Sequence, residues 1–329
     1  MTSPFPKSSS APGQGCLEVQ LLPNDISGLA AIAYQYPLKL ISPSPTANQK
    51  SVLVFLLSYG GGLVGGDQVS LKVTVKPKAR LSIVTQGHTK IFKSASREVV
   101  TRQKLDVMIE RGAAMCLLPD PVQPFDGSVY EQLQSFTLAD EASICLLDWV
   151  CRGRSARGED WDLTAWKGRN EIWLAEEAVK KARLMLRDNI ILCNEESEST
   201  DKDLKQRMHG LGLLGTLILK GPLVESLAKF FMAEFTAMPR IGSRDFNSLS
   251  NVIKERETEL DVLQTCRAHR LTQEKNDGVL WSVAKVRGCT VVKFAARTIE
   301  GGRCWIGSML KQEGGIDRAF GEDAMMCIR

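Results

Sequence analysis

The feature that most constrains this chain is a two-residue alternation of apolar and polar side chains. Val69, Leu71, Val73 and Val75 are interleaved with Ser70, Lys72 and Thr74, and after Lys76-Pro77-Lys78 the same period resumes at Ala79, Leu81 and Ile83. Successive side chains of an extended strand point to opposite faces, so this pattern predicts strand, turn, strand with one face buried. The period returns at Leu105, Val107 and Ile109 before the Arg111-Gly112 turn, and a shorter apolar run spans Ile144 to Leu147. The first half therefore reads as consecutive β-strands.

Further along, the apolar run between Gly210 and Lys220 is closed by Gly221-Pro222 and predicts a buried strand. Leu223, Leu227, Phe230, Phe231, Phe235 and Met238 then recur at three- and four-residue spacing opposite Glu225, Lys229 and Glu234, which predicts a helix. Leu249, Val252, Ile253, Leu260 and Leu263 predict a second one, and Val279–Val286 and Thr290–Ala295 predict strands again, so that the end of the chain reads as β-rich. Glu171 to Leu192 is contradictory: Ala175 to Ala182 is rich in helix formers, while Ile172-Trp173-Leu174 and Ile190-Ile191-Leu192 favour strands. Met1 to Gly15, rich in Ser, Pro and Gly, predicts a disordered tail, and the charged stretch 194–207 a mobile loop inserted in one domain covering 16–329. The fold expected is mainly β, a single domain of consecutive strands with about two helices.

Composition narrows the function. Lys and Arg number 42 against 38 Asp and Glu in 329 residues, a surplus of +4 that gives no electrostatic case for nucleic acid. No apolar run approaches the roughly 20 residues that span a bilayer, and no export signal is visible, so neither a membrane nor secretion is expected. Nine scattered cysteines and the absence of an Asn-x-Ser/Thr sequon suit reduced thiols in a cytoplasmic protein. Hydrolase elbows and His-Glu-x-x-His are absent from the sequence, which argues against an enzyme.

Four stretches stand out. Gly60 to Asp67 formally contains Gly60-x-Gly62-x-x-Gly65, but the dinucleotide fingerprint needs a helix to receive the pyrophosphate, and Asp67 leads into an alternating strand. A tight turn with left-handed glycines is the plainer reading, in which Asp67 either bonds its own turn or serves as a metal or partner contact. The second stretch, Thr85 to Lys90, places His88, one of three dispersed histidines, in a polar turn, with no paired ligand at zinc spacing. The third, Leu118 to Phe125, sets three prolines around one aromatic and predicts a rigid loop presenting Phe125 and Asp126, either a plain connection between strands or a partner-binding surface. The fourth, Arg152 to Glu159, alternates three arginines with small residues and adjoins acidic ones, as a solvated loop or protein contact does.

Taken in order, these stretches resemble the UreD (UreH) family of urease accessory proteins. The likeness rests on Gly61, Gly62, Gly65, Gly66 and Asp67; on Thr85, Gly87 and Lys90; on Leu118, Pro119, Pro124 and Phe125; and on Gly153, Arg154, Ala156, Arg157, Gly158 and Glu159. It extends from about Leu17 to Leu310, with His88 and the 194–207 insertion as departures. The resemblance implies a β-helix-like or stacked-sheet scaffold, and it favours paired strands over a helix across Glu171–Leu192. It implies a non-enzymatic scaffold docking on urease apoprotein with a UreF-like protein and a UreG-like GTPase. Nickel would be in transit, with no tightly bound cofactor, and Asp67 and His88 are the residues expected near its path. Competing readings are a β-scaffold without metal traffic and a nucleotide site on the Gly60–Gly66 turn.

Overall fold

The computed structural model describes residues 11–45, 49–176, 181–194, 203–238 and 262–328. The chain opens with two hairpins, β1 (Gln14–Leu21) with β2 (Ser27–Tyr34) and β3 (Leu38–Ile41) with β4 (Val52–Ser58), and then winds. One winding is β5 (Gln68–Val75), β6 (Arg80–Val84) and β7 (Thr89–Ile91); the next is β8 (Thr101–Ile109), β9 (Ala114–Leu117) and β10 (Val122–Pro124); a third begins with β11 (Val129–Leu138) and β12 (Ser143–Cys151). Equivalent strands of successive windings pair in parallel: β5 with β8 and β8 with β11, β6 with β9 and β9 with β12, β7 with β10. This is the β-helix-like arrangement that the family resemblance implies.

The long hairpin β13 (Ala165–Glu176) and β14 (Lys181–Cys193) extends the first sheet, whose order is β14-β13-β11-β8-β5-β1-β2. Strands β15 (Leu213–Lys220), β16 (Leu280–Val286) and β17 (Cys289–Ala296) extend the second, ordered β16-β17-β15-β12-β9-β6-β4-β3. Antiparallel pairing of β13 with β14 resolves the conflict in favour of strands over Glu171–Glu176 and Lys181–Leu192, while residues 177–180 of that stretch lie outside those described. Ladder pairing of Ala175 with Ala182 overrides the helical propensity of both.

Register explains the core between the sheets. Val73, Val107, Phe136 and Ile172 stand opposite one another on successive strands of the first sheet, and Leu81, Met115 and Ile144 do the same on the second. All seven are buried in one continuous cluster. A second apolar layer covers the other face of the second sheet, where Leu147, Trp149, Leu217 and Phe294 meet Leu227, Phe231, Trp305 and Met309 from helices.

The described residues hold five α-helices: α1 (Leu204–Arg207), α2 (Glu225–Thr236), α3 (Val262–Asp277), α4 (Ile299–Glu313) and α5 (Gly315–Phe320). Helix α2 occupies the predicted place, preceded by a 3-10 turn at Pro222–Val224. The second expected helix, residues 249–263, falls almost wholly outside the described residues, and α3 begins at its end and continues beyond it. Three other expectations need correcting. The tail expected over 1–15 gives way to strand at Gln14. In the charged loop expected over 194–207, α1 buries Leu204, and Met208 is buried just beyond it, while residues 195–202 lie outside those described. The end is helical after Ala296, because α4 uses Gly302 and Gly307 to approach the Leu213 side chain and the Ile328 carbonyl where a Cβ would collide. No described helix is long and apolar enough to cross a membrane.

Candidate functional site

Side chains facing into the sandwich are apolar except along one seam. On β11 the inward positions include Tyr130, Gln132 and Gln134, where the alternation of the other strands would place aliphatics. Gln132 donates from Nε2 to Asp148 Oδ1 at 2.9 Å, Asn170 donates from Nδ2 to Oδ2 of the same carboxylate at 2.6 Å, and Gln134 donates to Asn170 Oδ1 at 3.1 Å. Asp148 lies on β12 in the second sheet and its amide partners lie on the first, so this carboxylate joins the two sheets through the core. It is 3% exposed. Burial pushes its pKa above the ordinary aspartate value, against the hydrogen bonds from Asn170 and Gln132 that favour the charged form.

The seam continues towards the far edge of the sheets. Asn170 is opposite Asp188, and Asp148 is opposite Thr216, which is opposite Lys293. Lys293 Nζ meets Asp188 Oδ1 at 2.6 Å, while the buried Oδ2 of Asp188 accepts no hydrogen bond among the described residues. In the other direction, a cavity of about 30 Å³ lies beside Gln103, Gln132, Gln134 and Asp148, room for about one water molecule. It shares Leu56, Thr85, Thr89 and Gln103 with an open pocket of about 280 Å³ at the surface. Gly60, Gly61, Gly87 and His88 also line that mouth.

One buried residue organises the mouth. Asp120 accepts at Oδ2 from Thr85 Oγ1 (3.0 Å) and from the Gly87 amide (2.9 Å), its own amide donates to Thr85 Oγ1 (2.7 Å), and its Oδ1 meets Arg303 Nη2 (2.9 Å). Asp120 thereby binds the Thr85–Lys90 turn, the proline-rich loop and α4 together. The C-terminal segment closes the cluster, with Cys327 Sγ donating to the Thr85 carbonyl at 3.2 Å. His88 is half-buried here, and burial lowers its pKa; Arg303 and Lys90 lower it further, and these effects outweigh the pull of Asp120 and a Gln123 hydrogen bond. Its imidazole is neutral at neutral pH, the form that can donate a lone pair to a metal.

The glycine turn frames the same mouth. Gly60, Gly61 and Gly66 have φ of 70°, 77° and 93°, as the turn reading requires. A Cβ on Gly62 would lie 2.7 Å from the Lys90 carbonyl, and one on Gly65 would lie 2.9 Å from the Lys93 carbonyl, so both glycines permit contact with the neighbouring segment. Asp67 accepts from the Val64 amide at 2.8 Å, and β5 follows immediately, with no helix to receive a nucleotide phosphate. Asp67 is absent from the residues lining the mouth.

The arginine loop forms a separate cluster. Arg154 lies with Cζ 4.1 Å from the centre of the Phe125 ring, which in turn meets Phe92 edge-on at 5.3 Å. Glu159 accepts from the Arg154 amide (2.8 Å), Nε (2.7 Å) and Nη2. Burial opposes ionisation of Glu159, but these hydrogen bonds outweigh it and hold the carboxyl below its ordinary value. Pro124 pairs with Ile91 in the β7–β10 ladder. Phe125, expected either to hold structure or to meet a partner, is 5% exposed and anchors the loop from within. Arg157 is exposed on a 3-10 turn that ends in left-handed Gly158.

Among the described residues, no three His, Cys, Asp or Glu side chains gather as a metal site. A sequence model of the UreD urease accessory proteins matches residues 13–325. The chain belongs to the UreD urease accessory protein family. A "urease accessory protein ureD-like" chain of Schizosaccharomyces pombe is 34% identical over 270 residues, covering 82% of this chain and 83% of the relative. "Urease accessory protein 4" of Cryptococcus neoformans var. grubii is 29% identical, covering 87% and 86% respectively. "Urease accessory protein UreD" of an Anaeromyxobacter strain is 29% identical, covering 92% and 86%. Membership of the UreD family supports an accessory role in urease maturation.

Sequence reasoning missed the seam of this UreD chain, although its signal was present. Asp148 is the one charged residue in the otherwise apolar and small strand Ser143–Cys151. Gln132 and Gln134 also share the parity of the buried Phe136 and Leu138, so extending the alternation through β11 would have placed both amides inside.

Proposed function

We propose that this chain passes nickel to urease apoprotein through the polar seam between its sheets, in a cytoplasmic assembly with a UreF-like protein and a UreG-like GTPase. The observation that carries this reading is Asp148, a buried carboxylate held by amides from the opposite sheet, beside a small cavity that shares lining residues with the open mouth at His88. A dry sandwich would be better served by an aliphatic residue there, since burying a carboxylate is costly. A cation in transit benefits from carboxylate and amide oxygens that replace part of its hydration without forming a closed cage. Asp188, with a buried carboxylate oxygen free of hydrogen bonds among the described residues, offers a second such oxygen further along.

In this reading His88 is the neutral donor at the entrance, and Asp67 shapes the rim by holding the glycine turn. Nickel is cargo, and the chain needs no resident cofactor. Arg157, exposed on its rigid turn, contributes to partner docking. The test is to co-express urease, its accessory proteins and Asp148→Leu, then assay nickel content and activity of the purified urease. Urease deficient in both, with the variant still bound to its partners, supports the passage. Normal nickel loading and activity with Asp148→Leu overturns it.

A further inference from the structure

The helices pack against the second sheet, and the outer face of the first carries a charged groove, on the opposite face of the strands that bear the seam residues Gln132 and Gln103. In one cross-strand row stand Arg102, Glu131, Lys167 and Ile191; two residues along, in the next, stand Lys104, Leu133, Arg169 and Asn189. Together these rows line an open groove of about 440 Å³.

Its charge is unbalanced. Glu131 is shared between Arg102 Nε at 3.0 Å and Lys167 Nζ at 3.6 Å. Lys104 meets Asp106 at 2.9 Å just outside the groove, and Arg169 bonds only the neutral Asn189, at 3.2 Å, in the contacts resolved for its side chain. Four cations thus line a groove with one carboxylate inside it. Between them Leu133 is half-buried at an outward position of β11, and Ile191 is 65% exposed on the rim.

From this geometry we infer that the groove binds an extended acidic segment of a protein partner, with carboxylates two residues apart and an aliphatic side chain beside them. Arg102 and Lys104 on β8, like Lys167 and Arg169 on β13, are two residues apart, hence about 7 Å along the strand direction. Side chains at i and i+2 of an extended peptide repeat at the same distance. Leu133, on the strand between, lies where an aliphatic side chain of that peptide would be covered. Nucleic acid fits less well, because Glu131 would face the phosphates and Leu133 and Ile191 would meet a polar backbone.

The test uses the full chain and two fluorescein-labelled peptides, Ser-Glu-Ser-Glu-Ser-Leu-Ser, whose two Glu and one Leu share a face when extended, and its Lys-for-Glu counterpart, followed by anisotropy. The expected result is selective binding of the acidic peptide, weakened by salt, with Kd raised about tenfold or more in Lys104→Glu/Arg169→Glu. Leu133→Ser raises Kd several-fold while leaving the salt dependence intact. If the double variant melts early by circular dichroism, Arg169→Gln takes its place with a smaller expected loss. Equal binding of both peptides, or unchanged affinity in folded variants, overturns the inference. So does preferential binding of phosphatidylserine vesicles or oligo-dT that the acidic peptide does not displace.

Discussion

Arg154 and Phe125 are joined face to ring at 4.1 Å, and this contact turns two motifs far apart in sequence into one structural unit. The Arg154 guanidinium lies over the ring while its nitrogens bond Glu159, so the planar shape serves both partners at once. Arg154→Lys is therefore expected to lower the denaturation midpoint nearly as much as Arg154→Ala. Phe125→Ala, which empties a buried aromatic site, is expected to cost about 3–5 kcal/mol in urea unfolding.

Asp148 carries a pH signature. Its pKa is raised in the folded state, so its contribution to stability is fully present below the unfolded value and is lost as pH rises through the folded value. Asp148→Asn, which cannot ionise, is expected to gain stability relative to the parent chain as pH rises from about 4 to 8. Melting temperatures of both proteins across that range check the sign. A constant gap would mean that Asp148 does not titrate differently in the folded chain.

His88 has the opposite dependence. Its folded pKa is lowered, so the stability it contributes is present above the unfolded value near 6.5 and is lost as pH falls from there through the folded value. His88→Gln is expected to flatten the acid side of the stability profile between about pH 5 and 7. NMR titration of the imidazole provides a direct reading, and an ordinary or raised pKa would contradict it.

Glu274 holds the helical layer to the second sheet. Its Oε1 accepts from Trp281 Nε1 at 3.0 Å and Trp305 Nε1 at 2.9 Å, and Arg270 Nε approaches the same oxygen at 3.2 Å. Glu274→Leu leaves two indole N–H groups without this acceptor and removes a carboxylate from buried Arg270. A loss of about 3–5 kcal/mol is expected from equilibrium unfolding, together with a change in tryptophan fluorescence.

Arg157 tests docking apart from folding. Its side chain is exposed, so Arg157→Ala is expected to leave the melting temperature unchanged while reducing capture of the proposed UreF-like partner from co-expressing cells. Undiminished capture would remove Arg157 from the interface.

The windings were legible because they bury one face: Val69–Val75 and Leu105–Ile109 show their period directly, and the turn at Gly60–Gly66 names its own geometry. Helix α3 was harder to read because Arg270 and Glu274, charged and nearly fully buried, break its apolar stripe. Helix α4 was concealed by Gly301, Gly302 and Gly307, which weaken helix propensity but allow close approach. At the site, motif reading found Thr85, Gly87 and His88 at the mouth, yet Asp120, which joins them to the C-terminal helices, depends on contacts 33 to 183 residues apart. The proline-rich loop left Phe125 open between a structural and a partner-facing role, because composition does not say what packs on a ring; Arg154 and Phe92 enclose it.

The seam has a consequence for synthesis. Its residues are spread from Gln103 on β8 to Lys293 on β17, and Asp148 is translated before Asn170, Thr216 and Lys293. A nascent chain emerging from the ribosome can therefore stack its first windings with the seam still unfinished. A polypeptide truncated after Cys151 would retain repeated strands to pair but would leave Asp148 without Asn170, Thr216 and Lys293, so the polar seam is completed only when β17 arrives.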